Sequence, residues 1–214
     1  MIKKEITYFL TALMFFTRIP IPFKIDYSSE IMNQSQKYYA AIGLLVGLIN
    51  AIIYYLCQLI LPIDISIIIS IIASVLLTGA FHEDGFTDVC DSFGGGYGKE
   101  KILTIMKDSR IGAYGVIGAI LLLLLKFTSL KHIAENNLEL MIFSIVAAHS
   151  VSRFFSGMMI YTHDYVTDID KSKSKPMANK ALPIKNLVIS FLFCLFPFVV
   201  FGEWKFLLIL PLCY

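Results

Sequence analysis

Apolar runs of about 20 residues recur along this chain and constrain its fold more than any other feature. A helix needs about that length to cross a bilayer, since each residue advances it by about 1.5 Å. The chain is 57% hydrophobic, against about 45–50% in soluble domains. We therefore predict an all-α, polytopic membrane helical bundle, a single domain over residues 1–214. Its predicted spans are residues 38–61, 65–81, 112–130 and 138–161, with a last apolar stretch over residues 187–213.

The first apolar segment, residues 6–23, is short for a span and contains Arg18, Pro20 and Pro22. We predict that it is re-entrant or interfacial. The N-terminus then shares one side of the membrane with three polar loops, and that side carries most of the Lys and Arg residues. The positive-inside rule makes it the cytoplasmic side of the membrane. The loops are residues 24–37, 82–111 and 162–186.

The net charge, the positions of the other lysines and the end of the chain give further expectations about partners and topology. A net charge of +2 is too small to indicate a nucleic-acid partner. Lys126 and Lys131 are expected on the side opposite the loops, and the lysines of residues 171–175 are expected to contact anionic lipid headgroups. The chain ends at Tyr214 without a polar tail, which predicts an incomplete last hairpin. The sequence does not set the oligomeric state, so an oligomer remains open.

An acidic run follows the second predicted span and carries the strongest chemical signal. Asp84, Asp88 and Asp91 are spaced by four and three residues, which places them on one face of a helix. Three ionised carboxylates at such spacing repel one another unless a cation lies between them. Hard oxygen ligands suit Mg²⁺, which usually takes one or two carboxylates together with substrate phosphate oxygens. The sequence therefore predicts metal-dependent phosphate chemistry at the cytoplasmic membrane surface.

Two further segments add candidate phosphate contacts. Gly94 and Gly95 are predicted to present backbone amides to a phosphate, although a flexible linker explains them equally well. The segment of residues 107–110 carries two cations at the mouth of the third span, where Arg gives bidentate contact and Lys a point charge. Its Asp residue is expected to orient the arginine or to add a metal ligand. The segment consists of Lys107, Asp108, Ser109 and Arg110.

Ionisable residues inside the fourth span are candidates for function, because charges within a bilayer are costly. His149 and Arg153 are four residues apart and share a helix face. Arg153 is expected to contact an anionic group or one of the aspartates. A purely structural intramembrane ion pair is the alternative.

These motifs together resemble the cobalamin synthase family (adenosylcobinamide-GDP ribazoletransferase). The resemblance rests on FHEDGFTDVCD from Phe81 to Asp91, on IMKDSRIG from Ile105 to Gly112, on TRIPIP near the start, and on the Ser-Arg pair that ends at Arg153. It covers most of the chain. Two departures are Glu83, where the family more often has an apolar residue, and Ser92, where it often has Gly.

The resemblance implies a reaction, a cofactor and a site. The family joins adenosylcobinamide-GDP to α-ribazole or its 5′-phosphate, releases GMP, requires Mg²⁺ and acts in the cytoplasmic membrane. On this basis we expect Asp84, Asp88 and Asp91 to hold the metal, and Asp88 to accept the hydroxyl proton. Lys107 and Arg110 are expected to stabilise charge on GMP. The predicted substrate-binding residues are His82, Gly94, Gly95, Asp108, Ser109 and Arg153.

Other classes of protein share part of this pattern. CDP-alcohol phosphotransferases and prenyltransferases also pair clustered aspartates with Mg²⁺, but the first have a longer spread of Gly, Arg and Asp and the second have two separated acidic motifs. A transporter would place its acidic groups near the middle of the bilayer, in broken helices. A purely structural membrane subunit leaves the acidic face unexplained. An enzyme is therefore the favoured interpretation.

Overall fold

The computed structural model describes residues 2–25, 28–163 and 183–213. Every regular element in these residues is helical, which confirms the all-α prediction. Two 3-10 segments, Gln36–Tyr38 and Trp204–Cys213, accompany the α-helices. The α-helices are α1 (Ile2–Phe16), α2 (Ser29–Ser35), α3 (Tyr39–Gln58), α4 (Ile63–Thr78), α5 (Phe81–Gly95), α6 (Lys99–Met106), α7 (Ala113–Asn136), α8 (Leu138–Thr162) and α9 (Ile184–Phe201).

The apolar helices match the predicted spans and make this a membrane protein. Four described helices are long and apolar enough to cross a bilayer: the continuous segment Ser29–Gln58 and helices α7, α8 and α9. Helices α4 and α5 form a further apolar pair, bent by 89° at a short break. The last apolar stretch is not one span, because α9 ends at Phe201 and a 3-10 segment follows. The predicted lysine cluster at residues 171–175 lies outside the described residues.

The centre of the bundle is the contact between α3 and α8, where glycine allows the backbones to approach closely. A Cβ atom on Gly43 would lie 2.7 Å from Cα of Ser150, and one on Gly47 would lie 2.8 Å from Cα of Val146. Small residues at such contacts are typical of helix pairs in membranes, where van der Waals packing replaces the hydrophobic effect. Ser150 also donates a hydrogen bond to the carbonyl oxygen of Ala40 at 3.1 Å.

Helix α1 packs against the outside of this centre rather than crossing the bilayer by itself. Its 15 residues are fewer than a span requires. Ala12 and Phe16 are buried with Tyr39 and Ile42 of α3 in one apolar cluster. This position agrees with the interfacial or re-entrant segment that the sequence predicts.

The break between α4 and α5 sets the direction of the acidic helix. Gly79 and Ala80 both adopt left-handed backbone conformations, with φ of 68° and 58°. Such a φ is uncommon for a residue other than glycine. The Arg18 side chain lies directly over Gly79, where a Cβ atom would collide with its guanidinium group. The turn therefore directs α5 away from the axis of α4 and towards α7.

Candidate active site

Helix α5 carries the three predicted metal-binding aspartates. Asp84 is exposed, whereas Asp88 and Asp91 are partly buried. Burial raises the pKa of the Asp88 carboxyl group, and the negative charges of Asp84 and Asp91 raise it further. The carboxylates are therefore close enough to interact, as their spacing in the sequence predicts, and a cation between them would relieve their repulsion.

Asp91 has a structural role that the sequence pattern did not reveal. Its carboxylate accepts hydrogen bonds from the backbone N–H groups of Gly112 and Gly115, at 2.7 and 2.8 Å. These amides belong to the start of α7, where Gly112 offers no side chain for capping. A Cβ atom on Gly112 would lie 2.5 Å from Oδ1 of Asp91, so glycine permits the contact. Asp91 thus caps α7 and fixes α5 against the start of that helix.

Replacing Asp91 by Ala should therefore destabilise the fold as well as the proposed chemistry. We expect the free energy of unfolding to fall by about 1–2 kcal/mol, the usual effect of losing an N-terminal helix cap. Thermal unfolding of the purified protein in detergent measures the change. Asp84→Ala is the matched control, because it removes an exposed aspartate from the same helix. Equal unfolding temperatures for the two variants would contradict the capping role.

The donor set is compatible with a metal that also binds substrate. Among the described residues, no group of three His, Cys, Asp or Glu side chains is arranged to enclose a metal ion. The two oxygens of Asp91 already accept backbone hydrogen bonds, but each carboxylate oxygen has a second lone pair. Mg²⁺ commonly binds one or two carboxylates and completes its octahedron with water and phosphate oxygens. The carboxylates of α5 fit this partly open type of site.

The predicted cationic segment, residues 107–110, lies shortly before the start of α7. One residue separates it in the chain from Gly112, whose backbone N–H group donates to Asp91. Arg110 donates from Nε and Nη2 to the two oxygens of Asp108, at 3.0 and 2.6 Å. The Arg110 guanidinium lowers the pKa of the Asp108 carboxyl group to about 2. Asp108 thus orients Arg110, which is the first of the two roles that the sequence left open. Lys107 and Ser109 are exposed beside this pair.

Gly94 and Gly95 lie in the last turn of α5 rather than in a loop. A Cβ atom on Gly94 would lie 2.5 Å from the ring of Tyr114, so this glycine allows the ring to pack against the helix. Gly95 has only Ile105 near its Cβ position, at 3.9 Å. The structure therefore gives Gly94 a packing role, and it does not show either glycine in a phosphate-binding loop.

His82 and Arg153 line a cavity of about 400 Å³ between α3, α4, α5, α7 and α8. The Arg153 side chain is 2% exposed, and its Nη1 atom donates to the carbonyl oxygen of His149 at 3.1 Å. The described residues provide no aspartate partner for it, so the contact with an aspartate is not observed. None of residues 107–110 lines this cavity.

Lys126 lies within α7 and lines the same cavity as Arg153, a contact that the sequence did not predict. Its location on the side of the membrane opposite the loops stays a prediction. Asn50 of α3 also lines the cavity and was not singled out. A lysine inside an apolar run is itself a signal of function, because an ionisable side chain is costly at membrane depth. A polar residue inside an apolar run is the signal that could have identified both Lys126 and Asn50.

The chain is similar to proteins of one enzyme family. The family model described as cobalamin-5-phosphate synthase matches residues 8–214. A protein of Shewanella amazonensis named adenosylcobinamide-GDP ribazoletransferase is 47% identical over 176 residues, which are 82% of this chain and 68% of the relative. A protein of the same name from Shewanella frigidimarina is 45% identical over 175 residues, 82% of this chain and 67% of the relative. A search of the solved structures gives no match.

Proposed function

The chain belongs to the cobalamin-5-phosphate synthase family, and from this premise we propose that it is a membrane ribazoletransferase. It joins adenosylcobinamide-GDP to α-ribazole or to its 5′-phosphate, which gives adenosylcobalamin or its phosphate and releases GMP. This reaction assembles the nucleotide loop of cobalamin. The observation that carries the proposal is the acidic face of α5, held by Asp91 against the start of α7 and beside the cations of residues 107–110.

The reaction is a phosphoryl-group transfer. The hydroxyl oxygen of the ribazole attacks the phosphorus attached to cobinamide and forms a new P–O bond. The bond from that phosphorus to the oxygen of the GMP phosphate breaks, and GMP leaves with the bonding electron pair. Such transfers depend on positioning and on neutralising charge, because little covalent chemistry falls to the protein.

Asp84, Asp88 and Asp91 are the proposed ligands of Mg²⁺. The bound ion would neutralise charge on the diphosphate of adenosylcobinamide-GDP. Support comes from the pKa of Asp88, which burial raises and the charges of Asp84 and Asp91 raise further, and from the exposure of Asp84, which leaves room for a large substrate. A ligand set of carboxylates alone favours a hard cation of this kind.

The remaining roles fall to side chains on or near the acidic face. Asp88 is the proposed acceptor of the hydroxyl proton, since it lies between Asp84 and Asp91 on this face and a carboxylate is a common general base. Lys107 and Arg110 would stabilise charge on the departing GMP, with Asp108 and Ser109 helping to position its phosphate. Both cations are exposed and therefore open to a substrate from the aqueous phase.

The proposed active site faces the cytoplasm. Helices α3, α4, α7, α8 and α9 alternate in direction along the chain, so the starts of α3, α7 and α9 and the ends of α4 and α8 lie on one side of the bilayer. The acidic helix and residues 107–110 belong to that side. The positive-inside rule favours the cytoplasmic assignment, because Lys and Arg are concentrated there.

The nucleotide substrate that the protein accepts, adenosylcobinamide-GDP or a CDP-alcohol, distinguishes this function from that of a lipid transferase. The purified protein in lipid vesicles should release GMP from adenosylcobinamide-GDP only when α-ribazole or its 5′-phosphate is also present. A CDP-alcohol with a second alcohol should give no CMP. Release of CMP, or release of GMP without any ribazole acceptor, would contradict the proposed transfer.

A further inference from the structure

The cavity between the helices contains charged groups that the proposed chemistry does not use. It is formed by five helices, and its charged side chains are Glu83 of α5, Lys126 of α7 and Arg153 of α8. Two cations thus face one carboxylate, which leaves one positive charge without a counterion among the described lining residues. Arg153 lies nine residues before the end of α8, or about 14 Å along the helix. An uncompensated charge at that depth is costly unless an anion accompanies it.

One edge of the Arg153 guanidinium is held by hydrogen bonds, and the other has no hydrogen-bond partner among the described residues. Its Nη1 atom lies 3.2 Å from Nδ1 of His149 and donates to Oγ of Ser152 at 3.2 Å. Its Nε and Nη2 atoms are buried and have no hydrogen-bond partner among the described residues. These two atoms form the edge of an arginine that binds two oxygens at once. Arg110 uses the same edge on Asp108 elsewhere in this protein.

The cavity also offers access and room for a ligand. Its volume of about 400 Å³ is large enough for a phosphate group and for the part of the ligand that is attached to it. Ser129 of α7 and Ser152 and Ser156 of α8 line it and are exposed, so it opens on that side of the bundle. Lys126 faces the same space and is only partly buried, which makes it a second cation available to an entering anion.

We propose that this cavity is a phosphate-binding site, in which the Nε and Nη2 atoms of Arg153 hold two oxygens of one phosphate group and Lys126 provides a second positive charge. The choice of phosphate among oxyanions rests on the proposed function, whose substrates carry phosphate groups. Arg suits bidentate binding of this group, and the contacts of Nη1 already fix the position of its unpaired edge. The lining residues of the cavity on α5 are His82 and Glu83, and none of the three aspartates lines it. A nucleotide substrate and a phospholipid are the two sources of such a group.

Binding without turnover tests the proposal separately from the transferase function. Each experiment gives the protein one ribazole acceptor and no adenosylcobinamide-GDP, so that no reaction takes place. Calorimetry on the detergent-purified protein compares α-ribazole 5′-phosphate with α-ribazole, and inorganic phosphate is a third probe. Phosphorus analysis of the same preparation measures tightly bound phospholipid. The variants are Arg153→Gln and Lys126→Gln, with Lys205→Gln as the control because Lys205 is an exposed cation outside the cavity.

We expect the 5′-phosphate to strengthen binding by about 10- to 100-fold, the usual effect of charge-assisted hydrogen bonds, and Arg153→Gln to remove that advantage. Lys126→Gln should weaken it less, and it still tests the site if Arg153→Gln does not fold. Retention of phospholipid by the wild type, lost in Arg153→Gln, would assign the same phosphate site to a lipid. If both cavity variants match Lys205→Gln for every probe and for bound phospholipid, the proposal is overturned.

Discussion

Replacing Asp88 by Asn should reduce the rate of GMP release by at least about 100-fold while leaving the fold intact. Asn has nearly the same shape but does not accept the hydroxyl proton at neutral pH, and general-base catalysis contributes about 10²- to 10⁴-fold. The substitution also removes one of the three carboxylates that we propose as ligands of Mg²⁺. Steady-state GMP release with both substrates at saturation measures the effect.

The same substitution should not lower the stability of the metal-free protein. Burial and the neighbouring carboxylates raise the pKa of Asp88, so the folded state disfavours the ionised form and its charge weakens the fold at neutral pH. Asp64→Asn is the control for activity, because Asp64 lies at the start of α4 and pairs with Lys131 at 2.9 Å, away from the acidic helix. Activity of Asp88→Asn within threefold of the wild type would exclude its proposed role.

Replacing Gly43 by Ala should destabilise the bundle by about 2 kcal/mol or more. The added Cβ atom would collide with the carbonyl oxygen of His149 and would lie 2.7 Å from Cα of Ser150. Both are backbone atoms of α8, so no side-chain rotation relieves the contact. Helices α3 and α8 would have to move apart along the most extensive contact between any two of the described helices. Thermal unfolding in detergent, together with the yield of monodisperse protein, measures the loss.

Gly157→Ala is the matched control for this substitution. Gly157 is also buried on α8, but the nearest atom to its Cβ position belongs to the Tyr39 ring at 3.9 Å, an ordinary contact. Ala is the better helix former by roughly 0.5–1 kcal/mol, so Gly157→Ala should raise the unfolding temperature slightly. A lower unfolding temperature for Gly157→Ala than for Gly43→Ala would show that the close contact of α3 and α8 is not the cause.

The sequence predicts the helices well because hydrophobic length carries that information. The predicted spans 38–61, 65–81, 112–130 and 138–161 each correspond to a helix, with ends shifted by a few residues. The direction of α5 was not predictable in the same way. It depends on left-handed conformations at Gly79 and Ala80 and on the packing of Arg18 over that turn, and the second of these is a tertiary contact.

The site shows the same division between local and tertiary information. The shared face of Asp84, Asp88 and Asp91 follows from helix periodicity, which the sequence contains. The capping of α7 by Asp91 joins residues 21 and 24 positions apart, so no local pattern reveals it. The cavity around Arg153 forms where five helices meet. The sequence indicates individual charged residues inside the spans, but it does not indicate that they share a cavity.

The most direct test of the transferase assignment is the stoichiometry of its two products. Membranes containing the protein are incubated with adenosylcobinamide-GDP and α-ribazole, with either Mg²⁺ or EDTA, and GMP and cobalamin are measured over time. We expect both products in equal amounts with Mg²⁺, and neither with EDTA. GMP without cobalamin, or equal product formation in EDTA, would contradict the account of a metal-assisted transfer at the acidic face of α5.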